Sequence, residues 1–197
     1  MIELDKSDFI RLIKMNCAPE NRFNREFINA LNQALNEIET DASAQAVIFT
    51  SRLEKYFSNG LDTGWLIKEP KELWCNFLIE IDRLILRVLL YPKPTVSAIN
   101  GHAFAGGLFL ALATDYRLMR EDKGWCCIPE IDLGIDLPPG NIALVSYVIG
   151  ERNADRIALS GQRLSPKQAL ELGLVDELCS MENLIPRALE IASELAK

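Results

Sequence analysis

Two glycine-centred segments have the composition and the position to direct backbone amides at a common point. They are residues 57–62 (FSNGLD) and residues 100–107 (NGHAFAGG). Each follows an apolar run typical of a β-strand, residues 46–50 and 95–99, and each leads into a helical pattern. Glycine at a strand-to-helix turn permits a positive φ and lets a ligand approach the backbone closely.

Such turns present unpaired hydrogen-bond donors. The first amides of a helix have no partner within it, and the helix dipole adds partial positive charge there. Two turns of this kind that face each other would form an oxyanion hole, which stabilises an enolate or a tetrahedral oxyanion. By themselves Gly60, Gly106 and Gly107 are equally typical of ordinary turns.

Composition narrows the class of protein. A chain of 197 residues that is 49% hydrophobic can bury one substantial core, so we expect a single domain over residues 1–197. A net charge of −7 argues against nucleic acid or a membrane surface as a partner. No stretch is apolar enough to span a bilayer, and the acidic, mixed residues 1–6 do not resemble a targeting peptide. We therefore expect a cytoplasmic location.

Cysteine and histidine give little support for redox or metal chemistry. The five cysteines are scattered without a CxxC motif, which indicates reduced thiols, and we expect Cys126 and Cys127 to pack in the interior. The single histidine, His102, cannot form a multi-histidine metal site. We expect no metal, and we expect His102 to pack within its loop rather than transfer protons.

Strands and helices are predicted to alternate along the chain. Apolar spacing predicts helices over residues 24–39, 74–88 and 108–113, and again beyond the turn at 138–140. Strands are predicted at residues 8–15, 45–51, 95–99 and 116–119, and three more helices at 152–160, 165–172 and 185–196. This alternation predicts an α/β protein with mostly parallel sheets.

Three segments resemble the signature blocks of the crotonase (enoyl-CoA hydratase/isomerase) superfamily. They are residues 57–62, residues 93–107 (KPTVSAINGHAFAGG) and residues 128–134 (IPEIDLG). Residues 159–176 resemble a further block of the family. The resemblance runs in order along nearly the whole chain. It implies a crotonase-like ββα superhelix that binds acyl-CoA thioesters, with mostly parallel sheets and surrounding helices.

The resemblance also implies roles for individual residues. The backbone amides of Leu61 and Gly106 would hold the thioester oxygen as it gains enolate charge, and Glu130 would be the catalytic carboxylate. The residues expected to bind substrate are Asn21, Phe23, Ser58, Asn59, Gly60, Asp62, Ala105, Gly107, Phe109 and Pro129. No separate cofactor is implied, because coenzyme A is part of the substrate. The expected partners are an acyl-CoA or enoyl-CoA thioester and further copies of the chain, in a trimer or a dimer of trimers.

One departure from the family pattern bears on the reaction. Hydratases of the family carry a first glutamate three residues after the oxyanion glycine, and Phe109 stands there. Hydration usually needs two carboxylates, whereas moving a double bond from C3 to C2 needs one base. Glu130 has apolar neighbours, which would raise its pKa. The chain thus looks most similar to the monofunctional Δ3,Δ2-enoyl-CoA isomerases, with weak or absent hydratase activity.

Other readings remain open. The region at about residues 178–197 is shorter than in relatives, which leaves closure of the pocket and the oligomeric state undecided. The alternatives are another crotonase reaction on an acyl-CoA (hydration, decarboxylation or thioester hydrolysis) and a catalytically silent acyl-CoA-binding protein. We expect Asp132 and Asp136 to cap turns. Arg22 and Arg25 would either meet the phosphates of CoA or lie solvated at a helix start.

Overall fold

The strands form two sheets. The computed structural model describes residues 1–197. The strands are β1 (Ile2–Ser7), β2 (Ile10–Met15), β3 (Ala46–Ser51), β4 (Tyr56–Ser58), β5 (Thr95–Ile99), β6 (His102–Phe104), β7 (Tyr116–Arg120), β8 (Cys126–Cys127) and β9 (Glu177–Cys179). The larger sheet has the order β1-β2-β3-β5-β7-β9, and the smaller has the order β4-β6-β8. Only β1 and β2 pair antiparallel, so the predicted α/β class with mostly parallel sheets is confirmed.

Nine helices surround the sheets. They are α1 (Arg25–Thr40), α2 (Thr63–Leu66), α3 (Trp74–Leu89), α4 (Gly106–Leu112), α5 (Glu130–Leu133), α6 (Pro139–Ile149), α7 (Glu151–Ser160), α8 (Pro166–Leu172) and α9 (Met181–Leu195). None of them combines the length and the apolar character needed to cross a bilayer. The helix predicted over residues 24–39 matches α1 to within one residue, because Asn24 caps it and an apolar face recurs along it.

The structure differs from the sequence prediction at the first two strands. A strand was expected over residues 8–15, but β2 begins at Ile10, and Asp8 adopts a φ of +50° in the turn before it. The turn follows β1, which pairs with β2 in register from Ile2–Met15 to Ser7–Ile10. No apolar run predicts β1, because its apolar residues alternate with charged ones; its residues are half-buried except for Lys6, which is exposed.

The hydrophobic core consists of two clusters, and the larger one contains the helix that begins at Gly106. The larger apolar cluster lies between the sheets and helices α1, α3, α4 and α6, and it includes all of α4 beyond its two glycines. The smaller cluster lies under α9, on the other face of the larger sheet. Because α4 is fully buried, its first residue is held firmly at the end of β6. Cys126 and Cys127 are buried, and all five cysteines are unpaired.

Candidate active site

The first glycine turn follows β4 and is fixed from two sides. The Ser58 hydroxyl donates to the Asn21 carbonyl at 2.7 Å and accepts from the Gly60 amide at 3.2 Å. The Phe23 amide donates to the Gly60 carbonyl at 2.7 Å. Gly60 adopts a φ of +69°, which favours glycine, and the amide of the next residue, Leu61, donates to no acceptor in the protein.

The second turn joins β6 to α4 through a strained residue. Ala105 adopts a φ of +49° and a ψ of −127°, a combination that costs free energy for a residue with a β-carbon. Its amide is tied to the Cys127 carbonyl at 3.0 Å, and its carbonyl accepts from Leu108 and Phe109. This arrangement leaves Gly106 as the first helical residue, with its amide outside the ladder of α4.

The two turns touch. A β-carbon on Gly60 would lie 2.6 Å from the Gly106 amide nitrogen, and one on Gly106 would lie 2.9 Å from the Phe23 ring. Neither the Leu61 nor the Gly106 amide donates a hydrogen bond within the protein. Both residues line one cavity of about 520 Å³. Two residues with unpaired amides therefore line the same cavity, and amides of this kind are suited to stabilising an oxyanion.

Glu130 lines the same cavity. It is the first residue of α5, directly after Pro129, and it is only 8% exposed. Its Oε2 atom is buried without a hydrogen-bond partner. Burial raises the pKa of Glu130 to about 7, and a backbone hydrogen bond offsets only part of that effect. A carboxyl group with this pKa can both accept and release a proton near neutral pH.

Phe109 lies one helical turn beyond Gly106 and is 2% exposed, with part of its surface in the cavity. Leu78 and Ile81 of α3 also line the cavity, as does Pro138, which directly precedes α6. This part of the cavity is mainly apolar, so it is suited to an acyl chain.

Basic and aromatic side chains form another part of the cavity wall. The His102 ring lies between Tyr56 and Phe104, with centroid distances of 5.2 Å to each. The Lys55 ammonium lies 5.3 Å from the centre of the Tyr56 ring, and the Arg163 guanidinium 5.7 Å from that of Phe104. Burial, and then these two cations, lower the pKa of His102. His102 lies in β6 rather than in a loop, and it borders the cavity.

The predicted site residues divide into two layers. Those that line the cavity are Leu61, Gly106, Glu130, Asn59, Ala105, Phe109 and Pro129. The residues Asn21, Phe23, Ser58, Gly60, Asp62 and Gly107 lie outside the lining and support the turns instead. Asn21, for example, is fully buried and donates to the Phe57 carbonyl at 2.9 Å and to Ser51 Oγ at 2.7 Å.

The charged residues whose roles the sequence left open differ in whether they line the cavity. Arg22 lines the cavity and pairs with Glu20 at 2.5 Å, whereas Arg25 lies outside the lining and pairs with Glu80 at 3.7 Å. Asp136 also lines the cavity, whereas Asp132 does not, and the expectation that both cap turns stays a prediction.

Sequence reasoning missed several lining residues. Lys55, Tyr56 and Arg163 border the cavity beside His102, and Asp82 and Asn141 border it from α3 and α6. Lys55 and Tyr56 directly precede the first glycine turn, and that neighbourhood was the only local signal. The other three residues reach the cavity through tertiary packing, which no local pattern reports.

Comparison with known proteins shows the family. Residues 5–197 match the family described as enoyl-CoA hydratase/isomerase. The chain is 31% identical over 204 residues to the peroxisomal enoyl-CoA delta isomerase 2 of Arabidopsis thaliana, covering 100% of this chain and 85% of that protein. It is 33% identical to a putative enoyl-CoA hydratase of Thermus thermophilus, covering 100% of this chain and 78% of that one. The chain belongs to the enoyl-CoA hydratase/isomerase family, within the crotonase superfamily.

Solved structures confirm the crotonase fold. The human mitochondrial delta3-delta2-enoyl-CoA isomerase is similar with a TM-score of 0.93 and 30% identity, covering 99% of this chain and 77% of that one. An enoyl-CoA hydratase from Bacillus anthracis gives a TM-score of 0.92 and 28% identity, covering 99% and 76%. Some relatives are named as peroxisomal or mitochondrial, and the cytoplasmic location expected for this chain stays a prediction.

Proposed function

We propose that this protein moves the double bond of an enoyl-CoA thioester from C3 to C2. The observation that carries the proposal is the single buried, unpartnered carboxylate oxygen of Glu130 in the cavity that also holds the free amides of Leu61 and Gly106. Relatives named enoyl-CoA delta isomerase support the same reaction.

In the proposed mechanism the thioester oxygen lies between the two amides. Glu130 removes a proton from C2, and the negative charge moves onto the thioester oxygen as a dienolate, which the amides of Leu61 and Gly106 stabilise. Glu130 then returns the proton to C4, which leaves the double bond between C2 and C3 and restores the carboxylate. A pKa of about 7 suits both transfers, because neither protonation state is strongly disfavoured near neutral pH.

The charge and polarity of the cavity wall suggest which residues contact the other parts of the substrate. Lys55 and Arg163 make no ion pair with an acidic side chain, so their positive charges are available for the phosphates of CoA. The apolar wall around Phe109 takes the acyl chain and keeps water from the reacting carbons. Coenzyme A enters as part of the substrate, and no separate cofactor takes part.

Hydration of a 2-enoyl-CoA is the second candidate reaction. Asp136 lines the cavity together with Glu130 and would supply the second carboxylate that hydration usually needs. A relative named as a putative enoyl-CoA hydratase supports this alternative. We favour isomerisation because Asp136 is exposed, whereas the buried position one turn beyond Gly106 holds Phe109.

We also propose that copies of the chain associate, as the family resemblance implies. Large apolar side chains are exposed on helices α5–α7, among them Leu133, Ile142, Tyr147 and Leu159. Light scattering on the purified protein measures the mass of the assembly, and a monomer at micromolar concentration would contradict this part of the proposal.

The test of the reaction uses pure protein with 3-enoyl-, 2-enoyl- and saturated acyl-CoA esters. Absorbance of the conjugated thioester reports isomerisation, and product mass reports added water, lost carbon dioxide or thioester hydrolysis. We expect isomerisation, which Glu130→Gln lowers by about 10²–10⁴-fold or more while CoA-ester binding is kept. Glu182→Gln, on the surface of α9, is the matched control. Near-normal turnover by Glu130→Gln would show that Glu130 is not the base.

A further inference from the structure

Two polar side chains meet across the otherwise apolar part of the cavity. Asp82 on α3 and Asn141 on α6 both line it, beside Leu78, Ile81 and Phe109. The Asn141 amide nitrogen donates to Asp82 Oδ1 at 3.4 Å, so the pair links the two helices. Asn141 is 6% exposed, and most of its surface is therefore removed from bulk water.

This pair has acceptors for which the protein supplies no donor. Asn141 Oδ1 and Asp82 Oδ2 accept no hydrogen bond from the protein, and Asp82 has no ion-pair partner. Burial raises the pKa of Asp82, and the hydrogen bond from Asn141 opposes that effect. Both unpaired acceptor atoms remain accessible from the cavity, so a bound acyl chain would remove them from water, and an acceptor buried without a partner costs free energy.

The basic residues of the cavity lie on other elements than Asp82 and Asn141. The three basic residues in the lining are Arg22, Lys55 and Arg163, and none of them belongs to α3, α6 or the segment between α5 and α6. Lys55 and His102 also border a separate polar depression, whereas Ile135 and Asp136 border an apolar one. The elements that carry Asp82 and Asn141 therefore add no positive charge to the cavity lining, whereas Asp136, in the segment between α5 and α6, adds a carboxylate without an ion pair.

We infer that the acyl chain of the substrate carries a hydrogen-bond donor, a hydroxyl or an ammonium group, which Asp82 and Asn141 bind. The inference rests on the proposed function, because it places the reacting carbons at Glu130 and the rest of the acyl chain between α3 and α6. An unmodified alkyl chain would cover both acceptors without pairing them. A chain with a donor would satisfy them, and an ammonium group would also match the negative charge of Asp82.

Binding measurements test the inference without depending on catalysis. Calorimetry compares hexanoyl- and octanoyl-CoA with the same saturated esters bearing a terminal hydroxyl or a terminal amine. We expect one of the donor-bearing series to bind about 10-fold to 100-fold more tightly than the unmodified esters. Equal or weaker binding of every donor-bearing ester would overturn the inference.

Variants then assign the preference to the pair and identify the donor. Asp82→Leu and Asn141→Leu should remove the preference while binding of the unmodified ester is kept or improved. Asp82→Asn should remove a preference for the amine and keep one for the hydroxyl, because it removes charge and retains an acceptor. Glu80→Gln, on α3 but outside the cavity lining, is the control. A preference that survives both leucine variants would also overturn the inference.

The inference and the proposed function fail in distinguishable ways. If the protein prefers donor-bearing esters but isomerises none of the corresponding 3-enoyl-CoA esters, the inference stands and the proposed reaction is wrong. If it isomerises unmodified esters efficiently and shows no preference in binding, the reaction stands and the inference is wrong.

Discussion

The α-carbon of Gly60 lies against the amide nitrogen of Gly106, so closely that a β-carbon on Gly60 would come within 2.6 Å of that nitrogen. The same β-carbon would come within 2.9 Å of the Phe104 carbonyl oxygen. The distance between the two proposed oxyanion donors is therefore set by backbone in contact with backbone, which cannot yield as a flexible side chain can.

This contact predicts that Gly60→Ala disables the site. The methyl group would push the Leu61 and Gly106 amides apart, and alanine at a φ of +69° adds strain. We expect the free energy of unfolding to fall by about 2–4 kcal/mol and kcat/KM to fall by about 100-fold or more. Gly140→Ala, where no atom lies within 4 Å, should leave both values near wild type. A Gly60→Ala protein with normal turnover would show that the turn has no catalytic part.

The raised pKa of Glu130 predicts that the free energy of unfolding depends on pH. Its pKa is about 7 in the folded protein, against an ordinary value of 4.5, so the folded state holds the proton more tightly than the unfolded chain does. The free energy of unfolding should therefore fall as the pH rises from about 4.5 to about 7, by about 3 kcal/mol, and change little through this group above that range.

Glu130→Gln removes this titration and provides the measurement. Urea unfolding at about pH 4 and about pH 8 should show the variant gaining about 3 kcal/mol on the wild type between the two conditions. In the proposed reaction, kcat/KM of the wild type should rise about tenfold per pH unit below pH 7 and level off above it. Parallel pH dependence of stability in the two proteins would contradict the raised pKa.

Phe109 predicts the balance between isomerisation and hydration. Because the ring is buried at the cavity wall beside Gly106, we expect the wild-type protein to add water to 2-enoyl-CoA poorly. Phe109→Glu should introduce measurable hydration, lower isomerisation and destabilise the fold, since it places a carboxylate in an apolar environment. Phe109→Leu, which keeps the wall apolar, should add no hydration. Product mass separates the two outcomes, and strong hydration by the wild type would indicate Asp136 as the second carboxylate.

The features that sequence reasoning predicted well depend on local signals. Helix α1 has a capping Asn24 and a regular apolar face, and β5 is an apolar run between Pro94 and the second glycine turn. The position of Gly106 followed in the same way, because a glycine pair at a strand-to-helix turn is visible in the sequence itself.

The features that it missed depend on residues distant in the chain. Strands β4, β6 and β8 have two or three residues each, and they are stabilised by pairing with one another across gaps of more than twenty residues. The meeting of Asp82 with Asn141 likewise requires α3 to cross near α6, which no periodicity in either helix reports. Sequence reasoning therefore named Leu61, Gly106 and Glu130, which line one cavity in the structure, but not Asp82 and Asn141, which line it too. The roles of the first three as donors and base stay predictions.

The proposed base and one wall of the acyl site belong to a single stretch of chain, from Glu130 to Asn141, whereas the two amides belong to turns anchored between the sheets. If the proposed roles hold, replacing that stretch in evolution or engineering would change the base and part of the acyl wall together and leave the two amides in place. Within the proposed mechanism, stabilisation of the thioester oxygen and transfer of the proton thus belong to separate parts of the chain.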